Sequence, residues 1–361
     1  MKIKNLINLF KTNKECYFGA DFSGAHLRLM ETKKHGKSFD TVGYSQKKIP
    51  KGIMDQGKII KKNEFMEVFN EAVENAEGFF SGKDIMLTIP EENVFARVIS
   101  IPVEENEKSL EEMVRWETES SIPLAISETY YDWQIIKEDK GKKSILVMAT
   151  KKDIVDNYLE VFDEMGLNVL ALEPESLSMA RSFSRVEEKD YSLIIDLGNH
   201  SSNFIICKNG LPVFTSSVSI SGKTITELII RKMGLSFEKA ERYKIKVGLE
   251  KSQSKLSQNI FDPALISLVD EIKKMTEFLK YNLFVEEKNK KIDEIILCGG
   301  GSNLKGLSSY LTIKLKQKVS QSNPWSRFNF VKKNPPISKQ DSQGFAPVIG
   351  LTLKFEDNEN D

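Results

Sequence analysis

Short apolar runs that end in an aspartate and resume after a polar turn mark two places in this chain. The first aspartate is Asp21 and the second is Asp196. Each pattern predicts two strands joined by a tight turn, with a carboxylate where the turn begins. One such hairpin is an ordinary β-turn, but two copies favour two related halves that close on one ligand. The apolar runs cover residues 16–20 and 27–30 around the first turn, and 193–195 and 204–207 around the second.

A third apolar run is followed by a series of glycines. Ile295–Cys298 leads into Gly299–Asn303, which predicts a buried strand and a glycine turn that opens a helix. Glycine and serine turns present backbone N–H groups to a phosphate without side-chain obstruction. A carboxylate beside them is suited to hold Mg²⁺ through bound water. Together the three motifs predict a nucleotide cleft, with the ion near Asp21 and Asp196.

The stretch between the two hairpins has the pattern of a helix, a strand and then a compact α/β module. Apolar spacing predicts a helix from Asn63, its N-cap, to about Phe80, and a short apolar run predicts a strand over Asp84–Ile89. The elements that follow have the order β-α-β-β-α-β, which predicts one inserted module. They cover residues 94–101, 107–121, 129–136, 144–149, 151–165 and 168–172, and Glu175 opens a further helix.

After the second hairpin the pattern is mainly helical. Gly222 lies at the start of one helix, and Ser236 caps another over residues 237–247. Glu241 and Lys244 lie one turn apart on this second helix and share a face. They are placed to reach the ribose and base of a nucleotide, or they form a surface ion pair. Further helices are predicted over residues 263–285 and 304–318.

Composition argues against several classes of protein. The 361 residues carry 52 basic and 52 acidic side chains, so no basic excess indicates nucleic acid as a partner. The three cysteines lie far apart in apolar runs, which is typical of reduced thiols in a cytoplasmic protein, and the three histidines lack metal-ligand spacing. The sequence predicts neither a membrane-spanning segment nor a signal peptide. We expect the acidic residues 356–361 to be disordered.

With these motifs, the chain resembles the actin-like nucleotide-binding superfamily and, within it, the PilM family of type IV pilus assembly proteins, to which FtsA is related. The resemblance extends from about Tyr17 to Leu353. Three more segments carry it, namely IPKGIMDQG at 49–57, VRWETESSIP at 114–123 and LEPESLSMAR at 172–181. The second segment is similar to one in the inserted subdomain of the PilM family and is the most specific of the three.

The resemblance implies an α/β, actin-like fold of the duplicated ribonuclease H-like kind, with two domains around a nucleotide cleft and an inserted subdomain 1C. It implies a tail over residues 1–15, subdomain 1A over 16–90, 1C over 91–174 and a return helix of 1A over 175–190. Subdomain 2A then covers 191–218 and 292–344, subdomain 2B covers 219–291, residues 345–355 return to 1A, and residues 356–361 form an acidic tail.

The resemblance also implies ATP or ADP with Mg²⁺ as ligands. Asp21 and Asp196 are the implied metal contacts. The chain departs from the family pattern in the order Ser23-Gly24 and in Asn203, which replaces an acidic residue. The loss of that acidic group argues against fast hydrolysis and against firm positioning of Mg²⁺. We expect weak ATPase activity at most, with Glu175 either orienting water or stabilising the start of its helix. The implied nucleotide contacts are Asp21, Phe22, Ser23, Gly24, Asp196, Gly198, Ser202, Gly222, Glu241, Lys244, Gly299, Gly300, Gly301, Ser302 and Asn303.

PilM-like proteins bind the cytoplasmic N-terminal tail of the inner-membrane protein PilN in a groove between 1A and 1C. The resemblance therefore implies a cytoplasmic adaptor that reaches the inner membrane through a PilN-like partner. Arg115 and Trp116 are the candidate contacts, although a tryptophan on an amphipathic helix is alternatively a core residue. Residues 3–10 are similar to such a tail, which raises the hypothesis that they bind the groove of a neighbouring copy in self-association.

Other functions use the same fold. A sugar or acid kinase needs a substrate base in the cleft, and no aspartate in the pattern suits that role. A membrane-associated filament protein like FtsA needs a C-terminal amphipathic helix, whereas this sequence ends in acidic residues. A type II secretion counterpart would continue into a membrane span. The nucleotide-binding adaptor is therefore the leading prediction.

Overall fold

The computed structural model describes residues 17–22, 25–35, 38–103, 107–139, 141–183, 191–249, 255–282, 290–326, 328, 330 and 336–354. The predictions for residues 1–15, 3–10 and 356–361, and those for Ser23 and Gly24, lie outside these residues. The strands are β1 Phe18–Asp21, β2 His26–His35, β3 Ser38–Lys48, β4 Met54–Asp55, β5 Lys58–Ile59, β6 Glu77–Gly78, β7 Asp84–Ile89, β8 Val94–Pro102, β9 Thr129–Asp139, β10 Lys142–Lys151, β11 Asn168–Pro174, β12 Tyr191–Leu197, β13 Ser202–Lys208, β14 Leu211–Val218, β15 Ile292–Cys298 and β16 Val319–Gln321. The helices are α1 Lys62–Glu74, α2 Glu107–Ser121, α3 Lys152–Glu164, α4 Glu175–Phe183, α5 Gly222–Met233, α6 Phe237–Val247, α7 Lys255–Asn282, α8 Leu307–Leu315 and α9 Ala346–Thr352.

Two sheets carry the two predicted hairpins, and they repeat one arrangement. In the first sheet the strand order is β11-β7-β1-β2-β3-β6, with β1 antiparallel to β2 and parallel to β7. In the second sheet the order is β14-β13-β12-β15-β16, with β12 antiparallel to β13 and parallel to β15. Both predicted hairpins are therefore confirmed. Strands β12 and β15 run parallel, and Asp196 pairs with Cys298. The second aspartate and the glycine turn therefore lie at the same end of the sheet, where these strands finish.

The inserted unit is smaller than the sequence predicts. Strands β8, β10 and β9 form an antiparallel sheet, on which α2 packs with Leu110 and Val114. Strand β11, however, pairs with β7 in the first sheet, and α3 buries Tyr158 and Phe162 in the first hydrophobic core. The predicted β-α-β-β-α-β module over residues 91–174 is thus split between two units. The apolar face of α3 fits the aromatic side chains of the first core, and element order alone does not reveal that choice.

Helix boundaries differ from the predictions in two places. Helix α1 begins at Lys62 rather than at Asn63, its N-cap Lys61 makes no side-chain cap hydrogen bond, and it ends at Glu74 instead of near Phe80. Helix α7 starts before the predicted Pro263, which lies inside it. The apolar return segment forms α9, which is buried and contacts α4 and β1. Of the helices in the described ranges, none is both long and apolar enough to cross a membrane.

Candidate functional site

A cavity of about 760 Å³ lies where the turns of the two halves meet. Asp21 lines it from the first half, and Asp196 lines it from the second. Gly299, Gly300 and Gly301 complete the same wall. The three sequence motifs therefore line one cavity, although the second lies about 175 positions after the first and the third about 100 positions after the second.

The first turn holds a buried carboxylate beside an arginine. Asp21 is 1% exposed, and Thr88 Oγ1 donates a hydrogen bond of 2.8 Å to Asp21 Oδ1. Arg28 Nη1 lies 3.5 Å from Asp21 Oδ2 and also lines the cavity. Phe22 lines the cavity too, but its ring is buried edge-on against Phe65 in the first core. The first turn thus offers an anion with one cation beside it.

The second turn is closed by its own backbone. The Gly198 N–H group donates to the Ser201 carbonyl oxygen at 3.0 Å, and the Gly222 N–H group donates to the Gly198 carbonyl oxygen at 3.0 Å. Both glycines line the cavity. Ser202 differs from its predicted role, because its buried hydroxyl donates to the Ile220 carbonyl oxygen and is absent from the cavity wall. The alternation of strand β13 turns Asn203 towards the cavity instead.

Asp196 has an unusual protonation equilibrium for an aspartate. Burial, and next the charge of Asp21, raise the pKa of Asp196 to about 6. The Arg28 charge and a hydrogen bond from Asn203 lower this pKa, but they do not compensate. A cation placed between the two aspartates would relieve the repulsion that raises the pKa of Asp196.

The glycine turn after β15 packs tightly against the second hairpin. Gly299 has a φ of +73°, and a Cβ atom there would lie 2.2 Å from Asp196 Oδ1. A Cβ atom on Gly301 would lie 2.9 Å from the Leu197 carbonyl oxygen. Ser302 is buried outside the cavity wall, where its Oγ donates to the Gly299 carbonyl oxygen at 2.8 Å. This hydroxyl therefore stabilises the turn, and a contact of Ser302 with a nucleotide stays a prediction.

Asn303 lies in the cavity wall with both ends of its amide engaged. Asn303 Nδ2 donates to the Gln340 carbonyl oxygen at 2.9 Å, and Gln321 Nε2 donates to Asn303 Oδ1 at 2.8 Å. Gln343, which the sequence did not single out, accepts a backbone hydrogen bond of 3.2 Å from the Gly299 N–H group. The segment before α9, which contains Gln340 and Gln343, therefore holds the glycine turn in place through these hydrogen bonds.

Glu241 and Lys244 form a partly buried pair in the cavity wall. Lys244 Nζ lies 2.7 Å from Glu241 Oε1, and it donates to the Gly222 carbonyl oxygen at 3.0 Å and to Thr226 Oγ1 at 2.9 Å. The ion-pair alternative is confirmed, and both residues also line the cavity, while their contact with a ribose or base stays a prediction.

Glu175 is linked by reciprocal backbone hydrogen bonds to a second buried glutamate, Glu91, which was not predicted from the sequence. The Glu91 N–H group donates to Glu175 Oε2 at 3.0 Å, and the Ser176 N–H group donates to Glu91 Oε2 at 3.0 Å. Both glutamates are buried in the cavity wall, and burial raises the pKa of Glu91. A sequence pattern could have identified Glu91. Pro90-Glu91 follows the apolar strand Asp84–Ile89, just as Asp21 comes at the end of its own apolar strand.

Arg28 was also missed. It interrupts the apolar run between Leu27 and Leu29, and alternation along β2 places it opposite Asp21. Arg28 Nε donates to Gln46 Oε1 at 2.9 Å, and its guanidinium lies 5.8 Å from the Phe345 ring centroid. A charged residue at an apolar strand position is the sequence signal for it.

The donor set suits Mg²⁺ only in combination with other ligands. Among the described residues no group of three or more His, Cys, Asp or Glu side chains is arranged to hold a metal ion. Asp21 and Asp196 supply two carboxylates, and Mg²⁺ is commonly bound by one or two carboxylates together with water and phosphate oxygens. The two residues therefore fit the ion when a phosphate is present.

The candidate partner contacts lie away from the cavity on α2. Trp116 is 69% exposed, so its alternative as a core residue is wrong. Arg115 is also exposed on the same helix. The buried face of α2 uses Leu110 and Val114 instead, which leaves the tryptophan on the outer face.

Comparisons with known proteins agree with this architecture. A family model described as type IV pilus assembly protein PilM matches residues 19–356. A solved chain of a "PilM-PilN type IV pilus biogenesis complex" has a TM-score of 0.77 and 24% identity, and the match covers 95% of this chain and 99% of that chain. MreB5 of Spiroplasma citri bound to AMPPNP has a TM-score of 0.55 and 12% identity, with 97% of this chain and 98% of that chain covered. These similarities confirm the predicted actin-like α/β fold.

A curated relative is the cell division protein FtsA of Staphylococcus epidermidis. It is 21% identical over 245 residues, which are 62% of this chain and 51% of FtsA. The chain thus spans about half the length of the curated relatives that it matches.

Proposed function

The chain belongs to the PilM family of type IV pilus assembly proteins, and we propose that it acts there as a nucleotide-binding adaptor. In this proposal ATP or ADP occupies the cavity between the two halves, and a PilN-like protein of the inner membrane binds elsewhere on the surface. The single observation that carries the proposal is that Asp21, Asp196 and Gly299 lie around one cavity of about 760 Å³.

The nucleotide would lie with its phosphates between the two hairpin turns. Gly198 and Gly299 keep the backbone there free of side chains, and Arg28 supplies a positive charge on the first-half side. Glu241 and Lys244 would contact the ribose and base from the helical wall. Bound Mg²⁺ would neutralise phosphate charge, and Asp21 and Asp196 would hold it through water.

Any hydrolysis would be slow and would depend on Glu175. The Glu91 N–H group holds the Glu175 carboxylate at the cavity wall, and from there the carboxylate would orient a water molecule towards the terminal phosphate. Asn203 pairs with Asp196 across β12 and β13 and, as an amide, supplies no second acid there. We therefore propose that nucleotide binding, rather than turnover, is the function of the cleft.

The partner in this proposal is the N-terminal tail of a PilN-like inner-membrane protein. A solved PilM-PilN complex shares the fold of this chain. The antiparallel insert sheet has two edge strands, β8 and β9, and an extended peptide binds well to such an edge. Arg115 and Trp116 are exposed on the helix that covers the sheet. Binding there would place the protein beside the inner membrane.

The test is a titration of the full chain with a synthetic PilN-like tail peptide, with and without Mg-ATP. The proposal expects saturable binding of each ligand and a change in peptide affinity when nucleotide is present. The Asp196→Asn variant should lose Mg²⁺-dependent nucleotide binding and keep the peptide. Failure of the unmodified chain to bind ATP or ADP would remove the nucleotide part, and peptide binding that ignores nucleotide would remove the coupling.

A further inference from the structure

We propose that the hairpin β4–β5 passes the state of the nucleotide cleft to the inserted sheet, through Tyr158 and Asn157 of α3 and through Asn93. The inference rests on the proposed function, because it requires a nucleotide in the cleft. The hairpin contains the end of the segment IPKGIMDQG at 49–57, to which the three nucleotide motifs give no role.

The tip of this hairpin is part of the cavity wall. Met54, Asp55, Gln56 and Gly57 all line the cavity. Gln56 has a φ of +47° and Gly57 a φ of +81°, which is the pattern of a type I′ turn. A glutamine rarely adopts a positive φ, so its surroundings must hold it there. If a ligand moves this tip, the side chains that hold the tip must move with it.

Helix α3 holds the hairpin through three of its side chains. Asn157 Oδ1 accepts a hydrogen bond of 2.9 Å from the Ile59 N–H group, and Asn157 Nδ2 donates one of 3.1 Å to the Ile59 carbonyl oxygen. The Tyr158 hydroxyl donates to the Gly57 carbonyl oxygen. An exposed ion pair of 2.6 Å between Lys58 and Asp153 adds a third contact. The hairpin therefore cannot shift without moving α3 or breaking these bonds.

Tyr158 also contacts the first turn, through Phe22. Its ring is fully buried, and its centroid lies 4.8 Å from that of Phe22 with an interplanar angle of 70°. Phe22 directly follows Asp21, the carboxylate at the cavity. One side chain thus contacts two separate segments of the cavity wall.

The hairpin tip lies against the point where the chain enters and leaves the inserted sheet. A Cβ atom on Gly57 would be 2.0 Å from Asn93 Nδ2, and Asn93 directly precedes β8. Thr150 of β10 donates to the Asn93 carbonyl oxygen at 2.9 Å, and α3 begins at Lys152, directly after β10. The chain segments that enter and leave the inserted sheet are therefore linked to the cavity wall through only one or two residue contacts.

The side-chain amide of Asn93 indicates that the hairpin tip has a second position. Its Nδ2 atom is buried and has no hydrogen-bond partner among the described residues. Buried donors are nearly always satisfied, so an unpaired one beside a hairpin tip marks a group that a small shift of the tip would satisfy. A nucleotide that contacts the backbone of Gln56 or Gly57 would favour one position of the tip. The inserted sheet would then follow through its two connections.

The test compares the unmodified chain with the double variant Asn157→Ala/Tyr158→Phe, which removes the hydrogen bonds from α3 to the hairpin. Tyr17→Phe is the matched control, because Tyr17 is a buried tyrosine whose hydroxyl donates to the Leu351 carbonyl oxygen at 2.9 Å, away from the hairpin. The measurements are affinity for Mg-ATP, affinity for a PilN-like tail peptide with and without Mg-ATP, and deuterium exchange of residues 54–59, 94–102 and 142–151.

In the unmodified chain and the control, Mg-ATP should change peptide affinity by about 5-fold or more and should change exchange in the hairpin and the inserted sheet. In the double variant the affinity ratio should approach one, while each ligand alone still binds. Equal ratios in all three proteins would overturn the inference, as would an inserted sheet that does not respond in the unmodified chain. A chain that binds no nucleotide would instead refute the proposed function, and the inference with it.

Discussion

A Cβ atom on Gly299 would lie 2.2 Å from Asp196 Oδ1, so the glycine turn and the second carboxylate are in direct contact. Gly299 directly follows β15, which runs parallel to the Asp196 strand, and the pairing of Asp196 with Cys298 brings the glycine and the aspartate to the same end of the sheet. The cavity therefore depends on a residue without a side chain at this position.

Gly299→Ala should weaken nucleotide binding by about 10-fold or more, because the added methyl group must displace the Asp196 carboxylate or the glycine turn. Calorimetric titration with Mg-ATP measures the loss. Gly234→Ala is the matched control, since Gly234 also has a positive φ of +64° but a Cβ atom there meets nothing within 4 Å. The control should lose about 1 kcal/mol of stability and no nucleotide affinity. Equal nucleotide affinities in the two variants would contradict the prediction.

Asp196→Asn should stabilise the nucleotide-free protein above pH 6. The folded protein raises the pKa of Asp196 from 3.8 to about 6, so the unfolded chain ionises first as pH rises and folded stability falls over that range. The amide removes this penalty, which gives about 3 kcal/mol at pH 7.5 and roughly 0.5 kcal/mol near pH 4. Urea denaturation at several pH values measures the difference. A constant difference between variant and unmodified chain across pH would refute it.

The same pKa predicts how Mg²⁺ affects nucleotide binding. The ion requires an ionised Asp196, so the stabilising effect of Mg²⁺ on ATP binding should grow as pH rises through about 6. Titrations with ATP at pH 5 and pH 7.5, each with Mg²⁺ and with EDTA, measure this effect. In Asp196→Asn the two pH values should give the same Mg²⁺ effect. An unmodified chain that shows no pH dependence would exclude Asp196 as a contact of the ion.

The strand-end aspartates were predictable because apolar runs and turn residues act locally. Other residues at the site depend on distant partners. Ser302 is a predicted nucleotide contact, yet its hydroxyl donates to the Gly299 carbonyl oxygen. Tyr158 lies in a helix that follows the insert in sequence but packs in the first core. The sequence specifies the apolar face of α3 but not the surface that this face covers, so the boundary of the insert could not be predicted.

Trp116→Ala should weaken binding of the PilN-like tail peptide by about 10-fold or more while leaving stability within about 0.5 kcal/mol. Trp116 is 69% exposed, so its removal opens no cavity in the core. Tyr281→Ala is the matched control, because this aromatic residue is 72% exposed on α7, outside the insert. Fluorescence titration with labelled peptide measures the affinity. A similar loss in both variants would show that the tryptophan has no specific part in the interface.

A buried charge cluster joins the return helix to the first half. Glu173 is fully buried, with Arg181 Nη1 at 2.7 Å from its Oε1 and Arg181 Nη2 at 3.1 Å from its Oε2. Lys354 Nζ lies 3.3 Å from Glu173 Oε2. Burial alone would raise the pKa of Glu173, but the charges of Arg181 and Lys354 outweigh it and lower that pKa. The carboxylate therefore remains ionised between two buried cations.

Glu173→Gln should destabilise the fold by about 3–5 kcal/mol at pH 7, because two buried cations lose their counter-ion. Lys354→Met is the comparison variant. It keeps the pair of Glu173 with Arg181, so it should lose clearly less stability than Glu173→Gln.

In the unmodified chain the contribution of Glu173 to stability is complete above its unfolded pKa of 4.5 and is lost as pH falls through the lower folded pKa. Guanidinium denaturation at pH 7 and pH 3.5 should therefore show a large gap between Glu173→Gln and the unmodified chain at pH 7, and a smaller gap at pH 3.5. A gap of the same size at both values would mean that the loss comes from packing and not from charge.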